Sequence, residues 1–131
     1  RVIEILKGII KNKKICFLGV TFKANTDDMR DSSCLSMIPK LIKKGAKINY
    51  YDPTGQKKEF DKFKNIYFSQ DIKSAINKSD LIIIHTEWND FKSIDFKRDV
   101  KNKKFIIFDM RNIYSSTKMS EQKINYFGIG R

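Results

Sequence analysis

The sequence predicts an α/β fold, a Rossmann-like doubly wound parallel sheet of about five or six strands flanked by helices. Short runs of consecutive apolar residues are typical of parallel strands that are buried on both faces. Segments with apolar residues at helical spacing lie between these runs, and this alternation favours a parallel sheet with right-handed crossovers. The longest wholly apolar run, Leu81–Ile84, is far shorter than the ~20 residues that a membrane span needs.

The first elements are a helix and a strand. Residues 2–11 place apolar side chains at helical spacing and predict a helix. The apolar run within residues 14–20 predicts the first strand, and its continuity indicates that both faces are buried. A polar loop, residues 21–32, separates this strand from the next helix.

Apolar residues at helical spacing predict the second helix. We expect Ser32 or Ser33 to cap its amino end, because serine oxygens accept hydrogen bonds from free backbone N–H groups there. Gly45 is expected to end the helix. Pro39 lies inside it and should produce a kink or a local irregularity. The apolar residues of this helix are Leu35, Ile38, Leu41 and Ile42.

The rest of the chain continues the alternation. Residues 66–68 predict a short edge strand, and residues 81–84 predict the centre of the sheet, next to the first strand. Ser69 or Asp71 is expected to cap a helix that contains Ile76. A short helix is predicted around residues 96–100. The further strands are predicted at 47–51, 105–109 and 125–129.

The net charge of +12 does not by itself indicate a nucleic-acid-binding protein. The lysines are scattered, often in pairs such as Lys57-Lys58, without interleaved aromatic residues or a recognition-module signature. We interpret them as solvated. Cys16 and Cys34 match no zinc spacing and are predicted to be free, buried thiols. Cys34 is the only candidate for a reactive thiol, since a helix amino terminus can lower a thiol pKa. It has no histidine partner nearby in the sequence and no glycine-rich approach loop, so we do not assign it as a nucleophile.

Polar segments follow four of the predicted strands, where ligands of open parallel sheets bind. The first segment has no glycine after Gly19, so it is not a dinucleotide fingerprint. Its cations Lys23 and Arg30 suit one end of a nucleotide or a sugar. Alternatively, it is a solvated loop in which Asp27 and Asp28 cap helix starts.

Two other segments also allow two interpretations. The planar guanidinium of Arg111 suits a phosphate or a sugar edge, or else it pairs with Asp109 or a loop carbonyl for structural reasons. His85 and Glu87 are conceivable as general base and acid. The alternative is that His85 ends a strand and Trp88 packs at a domain edge.

These segments contain motifs in a fixed order. The loop after the first strand reads Gly19-Val-Thr-Phe-Lys-Ala-Asn-Thr-Asp-Asp-Met-Arg-Asp-Ser32. The later motifs are Tyr51-Asp52-Pro53, Thr86-Glu87-Trp88, Asp109-Met110-Arg111 and Ile129-Gly130-Arg131. Together, over residues 15–131, they resemble the C-terminal domain of the UDP-glucose/GDP-mannose dehydrogenase family. Each motif is weak alone, but the set is specific.

The resemblance implies a part of an NAD-dependent enzyme that oxidises UDP-glucose to UDP-glucuronate in two steps. It implies that Phe22, Lys23 and Arg111 bind the UDP-sugar, and that Arg30 reaches toward NAD. The cysteine motif and the glycine-rich cofactor turn of the family do not occur in this sequence. We therefore assign no catalytic residue and no metal ligand to this chain, and expect NAD to be bound mainly by an N-terminal domain.

The resemblance also implies a domain organisation. Residues 1–13 are expected to be the end of a helix that links to a preceding N-terminal part, and residues 14–131 the nucleotide-sugar-binding domain. The expected enzyme is cytoplasmic and a homodimer or larger, with no nucleic-acid or membrane partner. The same domain of a UDP-N-acetylhexosamine dehydrogenase is the alternative within the family. A stand-alone nucleotide-binding or receiver-like regulatory domain is the alternative outside it.

Overall fold

The computed structural model describes residues 1–130. The strands within these residues form one six-stranded sheet. The strand order is β3-β2-β1-β4-β5-β6, and every neighbouring pair is parallel. This order is that of the Rossmann-like doubly wound fold, so the predicted fold class is confirmed. The strands are β1 (Lys14–Leu18), β2 (Lys47–Tyr51), β3 (Ile66–Phe68), β4 (Leu81–Ile84), β5 (Ile106–Asp109) and β6 (Asn125–Gly128).

Five short α-helices flank the sheet, and none of the helices within residues 1–130 has the length and hydropathy of a membrane span. The helices are α1 (Val2–Ile5), α2 (Cys34–Lys43), α3 (Ile72–Ile76), α4 (Phe96–Asp99) and α5 (Ser116–Glu121). Single 3₁₀ turns occur at Lys58–Phe60 and Asn89–Phe91. Arg131, the last residue of the Ile-Gly-Arg motif, lies outside the described residues.

The predicted centre of the sheet is confirmed. β1 pairs with β4 in a register that runs from Ile15 opposite Leu81 to Leu18 opposite Ile84. All four residues of β4 are fully buried. Successive side chains of a strand point to opposite faces, so Leu81 and Ile83 join the apolar core that includes α2, while the other two residues of β4 join the core that includes α3, α4 and α5.

The predicted helix over residues 2–11 is wrong beyond its first turn. α1 ends at Ile5, and Lys7 and Gly8 have φ values of 54° and 79°. The N–H group of Gly8 donates to the carbonyl of Ile3 at 2.8 Å, which closes the helix through a left-handed turn. Ile10 lies outside the helix but is still buried, because the turn that follows α1 also packs on the core. This explains why the apolar residues keep a helical spacing beyond the end of the helix.

α2 agrees with its prediction in extent and differs in detail. It continues through Pro39 to Lys43. Ser33 stands at the N-cap without a capping bond, and the hydroxyl of Ser32 accepts the hydrogen bond from the N–H of Cys34 at 3.2 Å. Leu35, one of the apolar residues at helical spacing, is exposed.

The sequence did not predict α5. Met119 is the one buried residue of this helix, so there is no apolar periodicity to detect. Its amino end does have a cap, because the Ser115 hydroxyl accepts from the N–H of Lys118 at 3.3 Å. The predicted cap of α3 is present, since the Asp71 carboxylate accepts from the N–H of Ser74 at 2.7 Å.

Candidate functional site

The polar segments predicted to surround a ligand begin at one edge of the sheet. Leu18 of β1 lies opposite Tyr51 of β2 and Ile84 of β4, and Ile84 lies opposite Asp109 of β5. The four strands therefore end at the same level. The loops that follow them form the rim of this edge, as expected for a ligand site in a doubly wound sheet.

The loop after β1 turns at Gly19 and packs on the loop after β4. Gly19 has φ +78°, and a Cβ atom at this position would lie 2.6 Å from Cβ of Thr86 and 2.8 Å from its Oγ1. Glycine is required both by the backbone conformation and by this close approach. The Thr86 hydroxyl donates to the carbonyl of Thr21 at 3.1 Å, so the two loops are joined.

A buried carboxylate joins the loops after β1 and β2. Asp52 is 1% exposed, and its Oδ2 accepts from the N–H of Val20 at 2.9 Å. Its Oδ1 accepts from the N–H and the hydroxyl of Thr54, at 2.9 and 2.6 Å. Both oxygens are thus used to fix the backbone of the two loops.

Lys57 differs from the prediction that the lysine pairs are solvated. It is buried, and its Nζ donates to Oγ1 of Thr54 at 2.5 Å. Its backbone N–H donates to the Tyr50 hydroxyl at 2.8 Å, which holds this turn against the core. Lys58 beside it is exposed. Lys57 belongs to the hydrogen-bond network of Asp52 and is not a freely solvated cation.

Arg111 lies across two loops at the centre of the rim. Its Nε donates to the carbonyl of His85 at 2.9 Å, and its Nη2 donates to the carbonyl of Phe22 at 3.4 Å. Asp109 binds the backbone N–H of Arg111 at 3.1 Å and not the guanidinium. Among the described residues nothing accepts a hydrogen bond from Nη1, so this nitrogen is available to a ligand.

Phe22 and Lys23 form the tip of the loop after β1. Phe22 is 45% exposed although it is large and apolar, and its carbonyl contacts Arg111. The carbonyl of Lys23 accepts from the Thr21 hydroxyl at 2.9 Å, while its side chain is exposed and has no hydrogen-bond partner in residues 1–130. Of the predicted substrate residues, the structure thus places Phe22 in contact with Arg111 and Lys23 next to Phe22.

In the described part of the chain, Arg30 makes no hydrogen bond to Phe22, Lys23 or Arg111. Its guanidinium makes two hydrogen bonds to the Asp28 carboxylate, each 3.0 Å long. The side chain of Arg30 is 88% exposed. This pairing lowers the pKa of Asp28. Asp28 therefore caps no helix in the described chain. Its backbone carbonyl accepts from the N–H of Phe22 at 2.9 Å, which holds Arg30 and Phe22 in one loop.

His85 is a buried structural residue of the rim. It is 1% exposed, with Nδ1 at 3.1 Å from Oγ1 of Thr86 and Nε2 at 2.8 Å from Oγ of Ser33. Because the Thr86 hydroxyl donates to a carbonyl, it accepts from Nδ1–H, and Nε2 accepts from Ser33. Burial, and then the charge of Arg111, lower the pKa of His85 to about 4, so the ring is neutral at pH 7.

The acid–base interpretation of the segment after β4 has no geometric support. Glu87 is exposed and makes no hydrogen bond with His85 in the described chain. Trp88 is buried in the apolar core, whereas the alternative interpretation expected it to pack at a domain edge. The residues described contain no group of three or more His, Cys, Asp or Glu side chains placed to bind a metal ion.

Both cysteines are free and buried. Burial strongly raises the pKa of the Cys34 thiol, although the residue begins α2. The helix amino terminus therefore does not make this thiol reactive, because desolvation of the thiolate outweighs it. Burial raises the pKa of Cys16 in the same way.

Comparison with known proteins gives the family of this chain. A model of the UDP-glucose/GDP-mannose dehydrogenase family, UDP binding domain, matches residues 16–116. The chain belongs to this family. The UDP-glucose 6-dehydrogenase of Rhizobium meliloti (strain 1021) is 36% identical over 132 residues, which cover 100% of this chain and 30% of that protein. The chain therefore spans about 30% of the length of the curated relatives it matches.

Solved structures of this family have the same fold. An NDP-N-acetyl-D-galactosaminuronic acid dehydrogenase from Methanosarcina mazei Go1 aligns with a TM-score of 0.81 and 21% identity, over 98% of this chain and 27% of that one. A UDP-glucose dehydrogenase from Pyrobaculum islandicum aligns with a TM-score of 0.75 and 22% identity, over 98% of this chain and 28% of that one. These two solved dehydrogenases thus share the fold of this chain.

Some residues that shape the site were not singled out from the sequence. Asp52 was noted within a motif, but its bonds to Val20 and Thr54 were not foreseen. Thr86 was likewise known from its motif and not from its contact with Gly19. The available signal was a small or acidic residue directly after a strand, since such residues often bind the backbone of neighbouring turns.

Proposed function

We propose that this chain is the nucleotide-sugar-binding C-terminal domain of an NAD-dependent UDP-glucose 6-dehydrogenase. The observation that supports this most is the position of Arg111. Its guanidinium is fixed by two backbone carbonyls while Nη1 has no partner among the described residues. A preorganised, permanently charged group of this kind suits a phosphate or a sugar hydroxyl.

Phe22 and Lys23 complete the proposed substrate contacts. Phe22 offers an exposed apolar face beside Arg111, and Lys23 offers an exposed ammonium group one residue away. A nucleotide sugar has both a flat apolar base and anionic phosphates, so it matches this combination. In the complete enzyme these residues would bind and orient the UDP-sugar at the rim.

The NAD cofactor would accept hydride in the proposed reaction. The loop after β1 has no glycine between Gly19 and Gly45, so its backbone is unsuited to the close approach of a pyrophosphate. Arg30, exposed and already paired with Asp28, is the proposed contribution of this chain to NAD. We place the main cofactor site and the nucleophile in the remaining part of the enzyme.

The domain organisation follows from the same proposal. Residues 1–13 would link to an N-terminal part, and residues 14–131 would form the nucleotide-sugar-binding domain. We propose a cytoplasmic enzyme, with which the free, buried cysteines are compatible, and a homodimer or larger assembly. Since the family match covers residues 16–116, a stand-alone regulatory domain has no support.

Steady-state kinetics of the full-length dehydrogenase test this proposal. A charge-assisted hydrogen bond contributes about 1.5–3 kcal/mol, so Lys23→Ala or Arg111→Ala should lower kcat/KM for UDP-glucose by roughly ten- to a hundredfold. Arg111→Lys should recover only part of the loss, because an ammonium group cannot bind both carbonyls and a ligand in the same planar geometry.

The control removes two charges elsewhere. Lys101 and Lys104 are exposed and precede β5, at the opposite edge of the sheet. Replacing both with alanine should change kcat/KM by less than about twofold. An equal loss in this control would mean that overall charge, and not the site, binds the substrate. Parallel assays with a UDP-N-acetylhexosamine decide between the two substrate classes.

A further inference from the structure

Asn112 has an unusual backbone conformation directly after Arg111. Its φ is 53°, in the left-handed region that few residues other than glycine adopt. Asparagine tolerates this region better than most residues because its short polar side chain bonds to nearby backbone. The site therefore contains a locally strained residue next to its proposed central cation.

The Asn112 side chain pairs with the backbone of Ile129. Its Nδ2 donates to the Ile129 carbonyl at 2.9 Å, and its Oδ1 accepts from the Ile129 N–H at 2.9 Å. The last paired residues of β5 and β6 are Asp109 and Gly128. The amide thus replaces the sheet hydrogen bonds just past the end of this strand pair, and it fixes the position of Ile129.

Ile129 lies on the other side of Arg111 from Phe22 in the strand order. Phe22 follows β1, Arg111 follows β5 and Ile129 follows β6. Ile129 is 47% exposed, nearly the same fraction as Phe22. The strand order thus places an exposed cation between two half-exposed, large apolar residues, and a ligand with both charged and apolar parts would match this combination.

We propose that Asn112 is a positioning residue of the nucleotide-sugar site. It holds Ile129 at the rim, and Ile129 supplies an apolar contact to the nucleotide sugar opposite the contact from Phe22. This inference rests on the proposed function. Asn112 acts through Ile129 and does not itself touch the ligand, so its removal should have the same effect as the removal of the Ile129 side chain.

A double-mutant cycle in the full-length dehydrogenase tests this role. Asn112→Gly keeps the left-handed backbone accessible while it removes the amide, and Ile129→Ala removes the exposed side chain. Each variant should raise the KM for UDP-glucose about fivefold, the effect of losing one apolar contact, with kcat changed less than about twofold. The double variant should be no worse than either single variant, because both remove the same contact.

A matched control is available. Asn12 is also a left-handed asparagine, with φ 64°, and it is exposed before β1, at the opposite edge of the sheet. Asn12→Gly should leave KM within about twofold of the starting enzyme. Thermal melts of all variants verify that they remain folded.

The possible results separate the two proposals. The role of Asn112 would be overturned if the increases in KM of the two single variants multiplied in the double variant. It would also be overturned if Asn112→Gly left KM unchanged while Arg111→Ala raised it. Neither result would contradict the proposed substrate site. If Arg111→Ala and Lys23→Ala also leave KM unchanged, the proposed substrate site itself is wrong. A change in kcat without a change in KM would likewise contradict a positioning role in substrate binding.

Discussion

Replacing Gly19 with alanine should destabilise the protein strongly, because this residue meets two separate constraints. Its φ of +78° lies in the left-handed region, where an L-residue is disfavoured by about 1–2 kcal/mol. In addition, the new Cβ would be 2.6 Å from Cβ of Thr86, which must move. Overpacking of this kind costs about 1–3 kcal/mol, so the total is about 2–5 kcal/mol.

This energy corresponds to a measurable shift in melting temperature. Unfolding entropy is about 2.1 cal/mol/K per residue, or roughly 0.28 kcal/mol/K for 131 residues. Gly19→Ala should therefore lower Tm by about 7–18 °C in circular dichroism melts of the purified chain. The displaced Thr86 would also release the carbonyl of Thr21, so the loop that contains Phe22 should lose order.

Gly55→Ala is the matched control for this substitution. Gly55 has φ +94°, and nothing lies within 4 Å of a Cβ built there. It should show only the backbone effect, a decrease in Tm of about 4–7 °C. Equal decreases for the two variants would refute the argument that the contact between Gly19 and Thr86 is tight.

Three further predictions concern titration, thiols and catalysis. The pKa of His85 is lowered to about 4, so between pH 6.5 and pH 4 the unfolded chain binds a proton at this residue that the folded protein does not. About 3 kcal/mol of folding stability should therefore be present above pH 6.5 and be lost as the pH falls from 6.5 to 4. Thermal melts of His85→Gln should show a weaker pH dependence. Since burial raises both thiol pKa values, a thiol reagent at pH 8 should label Cys16 and Cys34 only after denaturation, and rapid labelling of the native protein would contradict this. The purified chain should form no NADH from UDP-glucose and NAD, measured by absorbance, and turnover that Cys34→Ser abolishes would overturn the structural role of that thiol.

The fold could be predicted from the sequence because its main signals are local. The four consecutive apolar residues of β4 are buried on both faces, and a short, continuous apolar run of this kind is typical of a buried parallel strand. The same local signal misled at residues 6–11, where a turn buries Leu6 and Ile10 at helical spacing. It was absent in α5, which buries a single residue.

The sequence predicted which loops meet at the rim of the candidate site, whereas it did not predict the contacts within the rim. Loops after parallel strands must meet at one edge, so the neighbourhood of Lys23 and Arg111 followed from the strand assignments. The bonds of the Arg111 guanidinium reach residues 26 and 89 positions away. The burial of Lys57 involves closer neighbours in the sequence, Thr54 and Tyr50, but it also could not be predicted from composition or from the spacing of residues.

The buried polar residues hold together the loops that form the rim of the proposed site. Among the described residues, the buried polar or charged ones are Thr21, Ser32, Asp52, Lys57, Ser79, His85, Thr86 and Asp109. All except Ser79 lie at the carboxyl ends of the strands or in the loops after them. Burial of such groups is unfavourable unless each is hydrogen-bonded, and most of these bonds go to loop backbone. Three of these hydrogen bonds hold the backbone of Val20, Thr21 and Lys23. These residues adjoin Phe22, whose carbonyl accepts from Arg111, so the fold and the proposed site depend on neighbouring interactions.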